Sequence, residues 1–513
     1  MANPIKRIVV LGNTPAAWLS AVFLRKRLQI EVILVAPPID NQRMEMSVAE
    51  SYTPDALRLH QLSGLDEKHW LLPSGGSFQT AVRLLGKNYL GRDVDTMMPY
   101  SPIGANFDGH AFHHYAMKAG IDDFESYSLA ASMARSDKFV HPVDDPQSIL
   151  SSFDYAISFN VVSYTSLMVK YAQHLGVQIL NVPSLDVHIK NNEVEGVGLL
   201  AEASRNIASG EAKTVTTLLK ADIYIDASDE LSAHSQLCEA VQSLGVASKP
   251  SKADLDMRLL AMSSQAFPPN AYKTLSVSDY GIFSSQVLPR GICYQVHFDS
   301  AHTSSEAARA GLLKRLGMTE SQLQIQETKL DKVCQSDYWL ANCIALGQGI
   351  GNSASVVFSD MEQSLRDVNR FIDLAPATDA FDVNRVEYNR VTLAQKSAVA
   401  DYQSCLQSVF NQNKEPVESV ESRSSSLAHQ MRLFAQRGHV LHYENDPIPE
   451  HLWTNLMLCS GFLPQSYQPL IDMHDVSATY ASIMHLKAMV GDTIQSLPPI
   501  ARYINSITKT PEV

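Results

Sequence analysis

Positive charge is scarce in this sequence. Lys and Arg number 41 against 54 Asp and Glu, a formal net charge of −13. With no basic excess to neutralise phosphates, a general nucleic-acid coat is disfavoured. Charged residues make up 19% and hydrophobic ones 45%, a balance that excludes a mainly disordered chain. No apolar run reaches the roughly 18 residues that a membrane span needs. The six cysteines, Cys238, Cys293, Cys334, Cys343, Cys405 and Cys459, include no CxxC pair. They read as reduced, buried thiols. No GxSxG is present, so a hydrolase nucleophile elbow is unsupported. The start, MANPIKRIVVLGN, has no signal-peptide apolar region and enters a strand pattern at once, so a cytoplasmic location is expected.

What is present begins as a βαβ unit. Ile8-Val9-Val10-Leu11 is a continuous apolar run, as in a strand buried on both faces. Gly12 to Pro15 makes a turn, Ala16 to Leu28 has helical periodicity, and Glu31 to Val35 is a second strand stopped by Pro37-Pro38. Parallel strands joined by a helix imply a doubly wound α/β sheet. Ala221 to Asp226 and Asn342 to Gly347 fit further strands of that layer. Val187 to Leu200 reads as a hairpin about Asn191-Asn192, and Leu275 to Ser300 as a second, strand-rich region. From about Met361 the pattern is mostly helical. Asn411 to Ser426, with Glu415-Pro416, reads as a loop or hinge.

The first turn has the context of a dinucleotide site but only part of its residues. It reads Gly12-x-Thr14-x-x-Ala17, with Ala16 beside Ala17, where GxGxxG would let backbone amides approach a pyrophosphate. Ala36 ends the second strand where an acid for the ribose is usual, and Asp40 could replace it only through a folded-back loop.

Longer segments carry a family resemblance. They are Gly104 to Tyr115, Tyr127 to Ala131, Tyr155 to Asn160, Ala221 to Ser228, Asn342 to Gly347, Glu387 to Arg390 and Pro499 to Ile504. Their order and spacing resemble the flavin-dependent halogenases, the tryptophan halogenase family. The resemblance implies an α/β FAD-binding monooxygenase-type (Rossmann-like) fold with a strand-rich substrate portion and a helical C-terminal part. The division expected is 1–376 for the FAD-binding-type domain with its interleaved substrate-side sheet, and 377–513 for the helical region. It also implies reduced FAD from a separate flavin reductase, hypohalous acid made from oxygen and halide, and an electron-rich aromatic substrate. In such enzymes a lysine positions the oxidant and a glutamate takes the arenium proton. A second copy of the chain is a further candidate partner, with no nucleic acid, membrane or metal.

Carried onto this sequence, the resemblance places Glu50 and Ser51 in the flavin-side strap, and Gly12, Thr14, Ala16, Ala17, Ala36, Gly347 and Gly351 around the cofactor. The lysine slot falls on Gln79, which offers an amide but no amine. Arg83 lies about 13 Å along if one strand runs through both. The glutamate slot falls on Val357 and the halide positions on Phe358 and Ser359; a local gap would bring Asp360 or Glu362 there instead. The tryptophan-rich signature region, Tyr280 to Pro289, contains no tryptophan, and Asp229 stands where a glycine is preferred. His110, His113 and His114 form a cluster without a convincing metal-ligand set beyond Asp108. Phe112 and His113 are the residues placed to pack on an aromatic ligand. Two functions follow: a divergent flavin-dependent halogenase-like enzyme in which lysine-dependent halogenation is doubtful, or a non-catalytic protein that keeps the frame to bind a ligand or partner.

Overall fold

Ile8, Val9, Val10 and Leu11 are wholly buried, as a strand covered on both faces requires. They lie in β1 (Arg7–Leu11), which is flanked by β2 (Glu31–Ala36) and β12 (Ile223–Asp226). With β8 (Gln178–Asn181), β18 (Trp339–Leu340) and β19 (Cys343–Ala345), these strands form a six-stranded sheet ordered β18-β19-β12-β1-β2-β8. Every pairing in it except β18–β19 is parallel. The computed structural model describes residues 4–37, 48–107, 109–200, 216–228, 255–263, 267–289, 291–330, 337–347, 355–374, 381–412, 415–421, 424–473 and 475–508, with 233, 236 and 237.

Helix α1 (Pro15–Leu28) crosses from β1 to β2, with Thr14 as N-cap and Pro15 at the first helical position. Ala16 to Leu24 are all buried. Such a helix needs cover on several sides, and it packs against α6 (Val161–His174) and α8 (Asp360–Asp373) as well as the sheet.

Between these lie the connecting helices α2 (Pro54–Gln61), α3 (Glu67–Leu71), α4 (Phe112–Lys118), α5 (Leu129–Arg135) and α7 (Ser305–Leu316). The hairpin β9 (Val187–Lys190) and β10 (Glu193–Leu200) turns at Asn191 and Asn192, both left-handed at φ 53° and 62°. This is the pair of positive φ values a two-residue hairpin turn requires. Strand β11 (Thr216–Leu219) completes that small sheet.

A seven-stranded sheet lies on the far side of the strap. It contains β5 (Ala81–Lys87), β6 (Asp93–Pro99), β13 (Met257–Ser263), β14 (Tyr272–Ser278), β15 (Gly281–Leu288), β16 (Gly291–Phe298) and β17 (Gln324–Lys329), in the order β17-β13-β16-β15-β14-β5-β6. One face buries Leu259, Phe283, Tyr294 and Val296 with Ala308 and Leu312 of α7. The other buries Val82, Leu84, Leu275 and Ile282 with residues of the C-terminal helices, among them Tyr402, Phe434 and Trp453. A third, three-stranded sheet, β3 (Ala49–Tyr52), β7 (Ala156–Asn160) and β4 (Ser77–Gln79), joins the two large ones.

The C-terminal part is helical: α9 (Phe381–Val409), α10 (Pro416–Glu421), α11 (Ser425–Arg437), α12 (Glu450–Cys459), α13 (Val476–Ser496) and α14 (Ile500–Thr508). The stretch expected to be a loop at 411–426 therefore contains a short helix. Pro416 begins α10, where a missing N–H costs nothing. Among the described residues no helix is long and apolar enough to cross a membrane.

Candidate active site

Gly12, Thr14, Ala16, Ala17, Ala36 and Gly347 lie at or just beyond the carboxyl ends of β1, β2 and β19. Gly12 has φ +118°, and a Cβ there would meet the Ala227 carbonyl oxygen at 2.5 Å. Only glycine serves at that point. The Thr14 hydroxyl donates to the Ala227 carbonyl at 2.7 Å and accepts from the Ala17 amide at 3.1 Å. Its side chain therefore turns inward, away from the space before the helix N-terminus. Gly347, at φ +57°, rests on the first turn of α1, where an added Cβ would lie 2.6 Å from the Ala16 methyl. Ala36 is buried at the end of β2. Just beyond it the Asn13 amide donates to the Pro37 carbonyl at 3.0 Å and accepts from the Trp18 indole at 2.8 Å. Gly351, Asp40 and Asp229 lie outside the described residues. The glycine turn, the helix N-terminus and the switch-point location fit a dinucleotide pyrophosphate. The described end of β2 offers no acid for a ribose.

The strap β3 is clamped to α8. Ser359, the N-cap of α8, donates through its hydroxyl to the Ser51 carbonyl at 2.7 Å. Glu362 is wholly buried and accepts from the Thr53 amide at 3.0 Å and the Thr53 hydroxyl at 2.7 Å, with Arg366 at 2.8 Å. Glu362 is thus committed to holding the chain, whatever gap an alignment allows. Glu50 is buried beside it and accepts a long bond from the Met361 amide at 3.4 Å. Burial first, then the charge of Asp360, pushes its carboxyl up to about 7.

Between the strap and the seven-stranded sheet lies a polar layer. Gln79 is buried; its amide nitrogen is 3.4 Å from the Gln286 amide oxygen, and its own oxygen has no partner among the described residues. Gln286 and Gln295 both reach toward the Ala49 carbonyl, at 3.4 and 3.5 Å. Continuing the Thr274–Ser285 pairing by one residue brings Lys273 opposite Gln286. The Lys273 ammonium is buried and donates to the Val356 carbonyl at 2.6 Å. Burial lowers it to about 8, opposed by the charges of Glu50 and Glu362. Across β16 and β13, His297 pairs with Arg258. Burial drives His297 well below its ordinary value, and its Nδ1 and the Arg258 Nε have no partner among the described residues. Buried polar atoms without partners are costly and call for a water or a ligand.

A family model for the tryptophan halogenases matches residues 7–476. This chain belongs to the tryptophan halogenase family. It is 31% identical over 121 residues to the tryptophan 6-halogenase ThaL of Streptomyces albogriseolus, a match spanning 22% of this chain and 21% of that protein. Similar folds include BrvH, a flavin-dependent halogenase from Brevundimonas sp. BAL3 (TM-score 0.82, 20% identity, 98% of this chain and 99% of that one). A flavin-dependent halogenase from Xanthomonas campestris gives a TM-score of 0.81 at 20% identity, covering 99% of this chain and 100% of that one. The tryptophan halogenase of Shewanella frigidimarina gives 0.79 at 16% identity, covering 99% and 98%.

Within this halogenase frame, several sequence expectations change. Gln79 and Arg83 do not share a strand: β4 ends at Gln79 and β5 starts at Ala81. Thr80 breaks the run, its amide donating to the Ala271 carbonyl and its hydroxyl to the Ala130 carbonyl, both at 2.8 Å. Arg83 is bound to Asp95 at 2.7 Å near the surface and brings no charge to Gln79. Val357 is half-buried in the turn before α8, one residue beyond the carbonyl that Lys273 holds. Phe358 is buried with its ring centroid 5.8 Å from that of Tyr402, and Ser359 caps α8.

Phe112 and His113, expected to face a ligand, are occupied by the protein itself. Phe112 is 1% exposed, 5.1 Å from the Tyr127 ring and tight under Gly104. The His113 Nε2 is 2.8 Å from the Gly438 carbonyl and its ring lies 4.0 Å from that of His114. Asp108 lies outside the described residues.

Lys273 was missed. Its signal was faint but present: a single cation inside the strand run Tyr272–Ser278, at the same parity as Leu275, which faces the core.

Proposed function

We propose that this chain is a flavin-dependent halogenase-type enzyme that turns reduced FAD, oxygen and halide to use on an electron-rich aromatic substrate. The observation that carries this reading is the polar layer beside the strap, where Glu50, Gln79, Lys273, Gln286 and His297 are buried around a half-buried Arg258, and where three polar atoms have no partner among the described residues. A frame kept only for packing would gain stability by replacing such groups with apolar ones.

On this reading Gly12, Thr14, Ala16 and Ala17 hold the pyrophosphate, Gly347 and Gly351 border the flavin, and Ala36 closes the ribose end. Glu50 and Ser51 hold the strap side. Bound reduced FAD supplies, with oxygen, the equivalents that oxidise halide. The chain's own groups offer amide and ammonium donors toward an oxidant. A separate flavin reductase, an aromatic small molecule and a second copy of the chain are the proposed partners.

Titration with FAD tests the reading. Binding of the folded state alone raises Tm, by linkage, with about 2.7 kcal/mol of added stability at a hundredfold excess over Kd. A yellow protein whose Tm rises with FAD is expected. No shift at millimolar FAD would instead favour a non-catalytic protein that binds another ligand or partner.

A further inference from the structure

We propose that Lys273 has taken over the oxidant-carrying amine from slot 79, delivering it from the neighbouring sheet. The inference deepens the flavin reading above and rests on it. Three contacts locate the amine. Lys273 stands opposite Gln286, whose side chain is the partner of Gln79. Its Nζ is 2.6 Å from the Val356 carbonyl, adjacent in sequence to the Val357 slot. It also senses the charge of Glu50 on the strap. One buried amine thus lies beside both positions at which the sequence lacks a reactive group.

The surroundings suit a nucleophile. Lys273 donates to one backbone carbonyl and, among the described residues, has no carboxylate in salt-bridge contact. Burial in this layer lowers it to about 8, so a usable fraction is neutral amine near neutral pH, unlike an exposed lysine near 10.4. The carboxyls of Glu50 and Glu362 act on it, His297 and Arg258 stand two and three strands away on β16 and β13, and Cys293 lies opposite Gln286.

The co-reactant is hypohalous acid. The Nζ lone pair attacks the halogen; the N–X bond forms as the O–X bond breaks, and the hydroxide released takes one amine proton to leave as water. In the second step an electron-rich ring carbon attacks the halogen. The C–X bond forms, the N–X bond breaks with its pair returning to nitrogen, and the ring proton leaves to water while the amine regains one. The sum is ArH + HOX → ArX + H2O, with the ring oxidised by two electrons and the halogen reduced.

Two measurements on the full chain decide. In the first, cyanate pulses from pH 6 to 10 are read by peptide mass spectrometry, with no flavin present. Lys273 should carbamoylate with a midpoint near 8, well below that of an unstructured lysine peptide added to the same reaction, at about 10.4. Failure of Lys273 to label, or a midpoint shared with that peptide, overturns the proposal. In the second, FAD, a reductase, bromide and indole are supplied. Lys273→Met should lower brominated product at least 100-fold, and Lys87→Met should leave it unchanged. Lys273→Arg, which keeps the charge and the bond to the Val356 carbonyl, should be equally inactive with Tm close to wild type. Undiminished product from Lys273→Met or Lys273→Arg overturns the assignment. A wild-type protein that makes no product sinks the flavin reading, and the cyanate midpoint still decides for or against the reactive amine.

Discussion

At the scale of single residues, burial sets the chemistry. Glu50 and the histidines near α4 respond to pH in opposite senses. The Glu50 carboxyl is raised to about 7, so its contribution to stability is complete below its unfolded value and is lost as pH rises through 7. Burial lowers His113 to about 4, against the bond its ring donates to the Gly438 carbonyl, and His114 to about 3. Their contributions are complete above about 6.5 and are lost as pH falls through the folded values. The difference between wild type and His113→Gln isolates one histidine. Between pH 7 and pH 4, the variant should lose roughly 3 kcal/mol less stability, read by denaturant unfolding at each pH. Equal losses would show that His113 is protonated without cost. Gly12→Ala is a second residue-scale prediction. The positive φ and the 2.5 Å approach to the Ala227 carbonyl should cost about 3 kcal/mol in the same assay.

At the scale of elements, the strap and its clamp govern the site. Among the described residues the strand Ala49–Tyr52 pairs with one other strand, β7, and its far end depends on Glu362 and Ser359 of α8. Glu362→Ala leaves the half-buried Arg366 without its carboxylate partner and the buried Thr53 amide without an acceptor. A loss of roughly 3–5 kcal/mol follows, with faster amide exchange concentrated at residues 49–53. Unchanged exchange there would mean that pairing with β7 alone holds the strap. Gln79→Lys places a second ammonium next to Lys273 in the same buried layer. Like charges oppose one another there, so the variant should unfold at lower temperature, and the cyanate midpoint of Lys273 should move down.

At the scale of the whole molecule, the last helix ties the chain back onto the strap's support. His141 joins Tyr503 at 2.6 Å to Glu67 at 2.8 Å, and Tyr155 donates to the same Glu67 at 2.6 Å. Phe78, one residue before Gln79, stacks on Phe139 at 4.2 Å under that network. The Ile500 amide donates to the Asp137 carbonyl at 2.8 Å. Removing residues 499–513 should therefore lower Tm by more than Tyr503→Phe does, since the deletion uncovers the aromatic stack and the point substitution only removes one hydrogen bond. Equal shifts in a thermal melt would show that the helix contributes nothing beyond that bond.

Strands β1, β2, β12 and β19 of the first sheet were legible in the sequence because burial on both faces demands an unbroken apolar run, as at Ile8–Leu11, whereas the half-exposed β8 and the two-residue β18 carry no such run. The hairpin at Asn191-Asn192 was legible because asparagine tolerates left-handed backbone. The order of the family segments likewise gave the frame, and Gln79 and Val357 showed that two expected groups are missing from it. The tertiary structure alone decided what replaces them. A lysine within a strand carries no mark of which face it takes or what crosses it. Only the pairing of β14 with β15, and the turn before α8 laid across that face, bring Lys273 to Gln286 and the Val356 carbonyl. The same holds for Arg83: its distance from Gln79 looked short along the chain, yet a break at Thr80 places the two in different sheets. Side-chain period is a local property; which strands become neighbours is not.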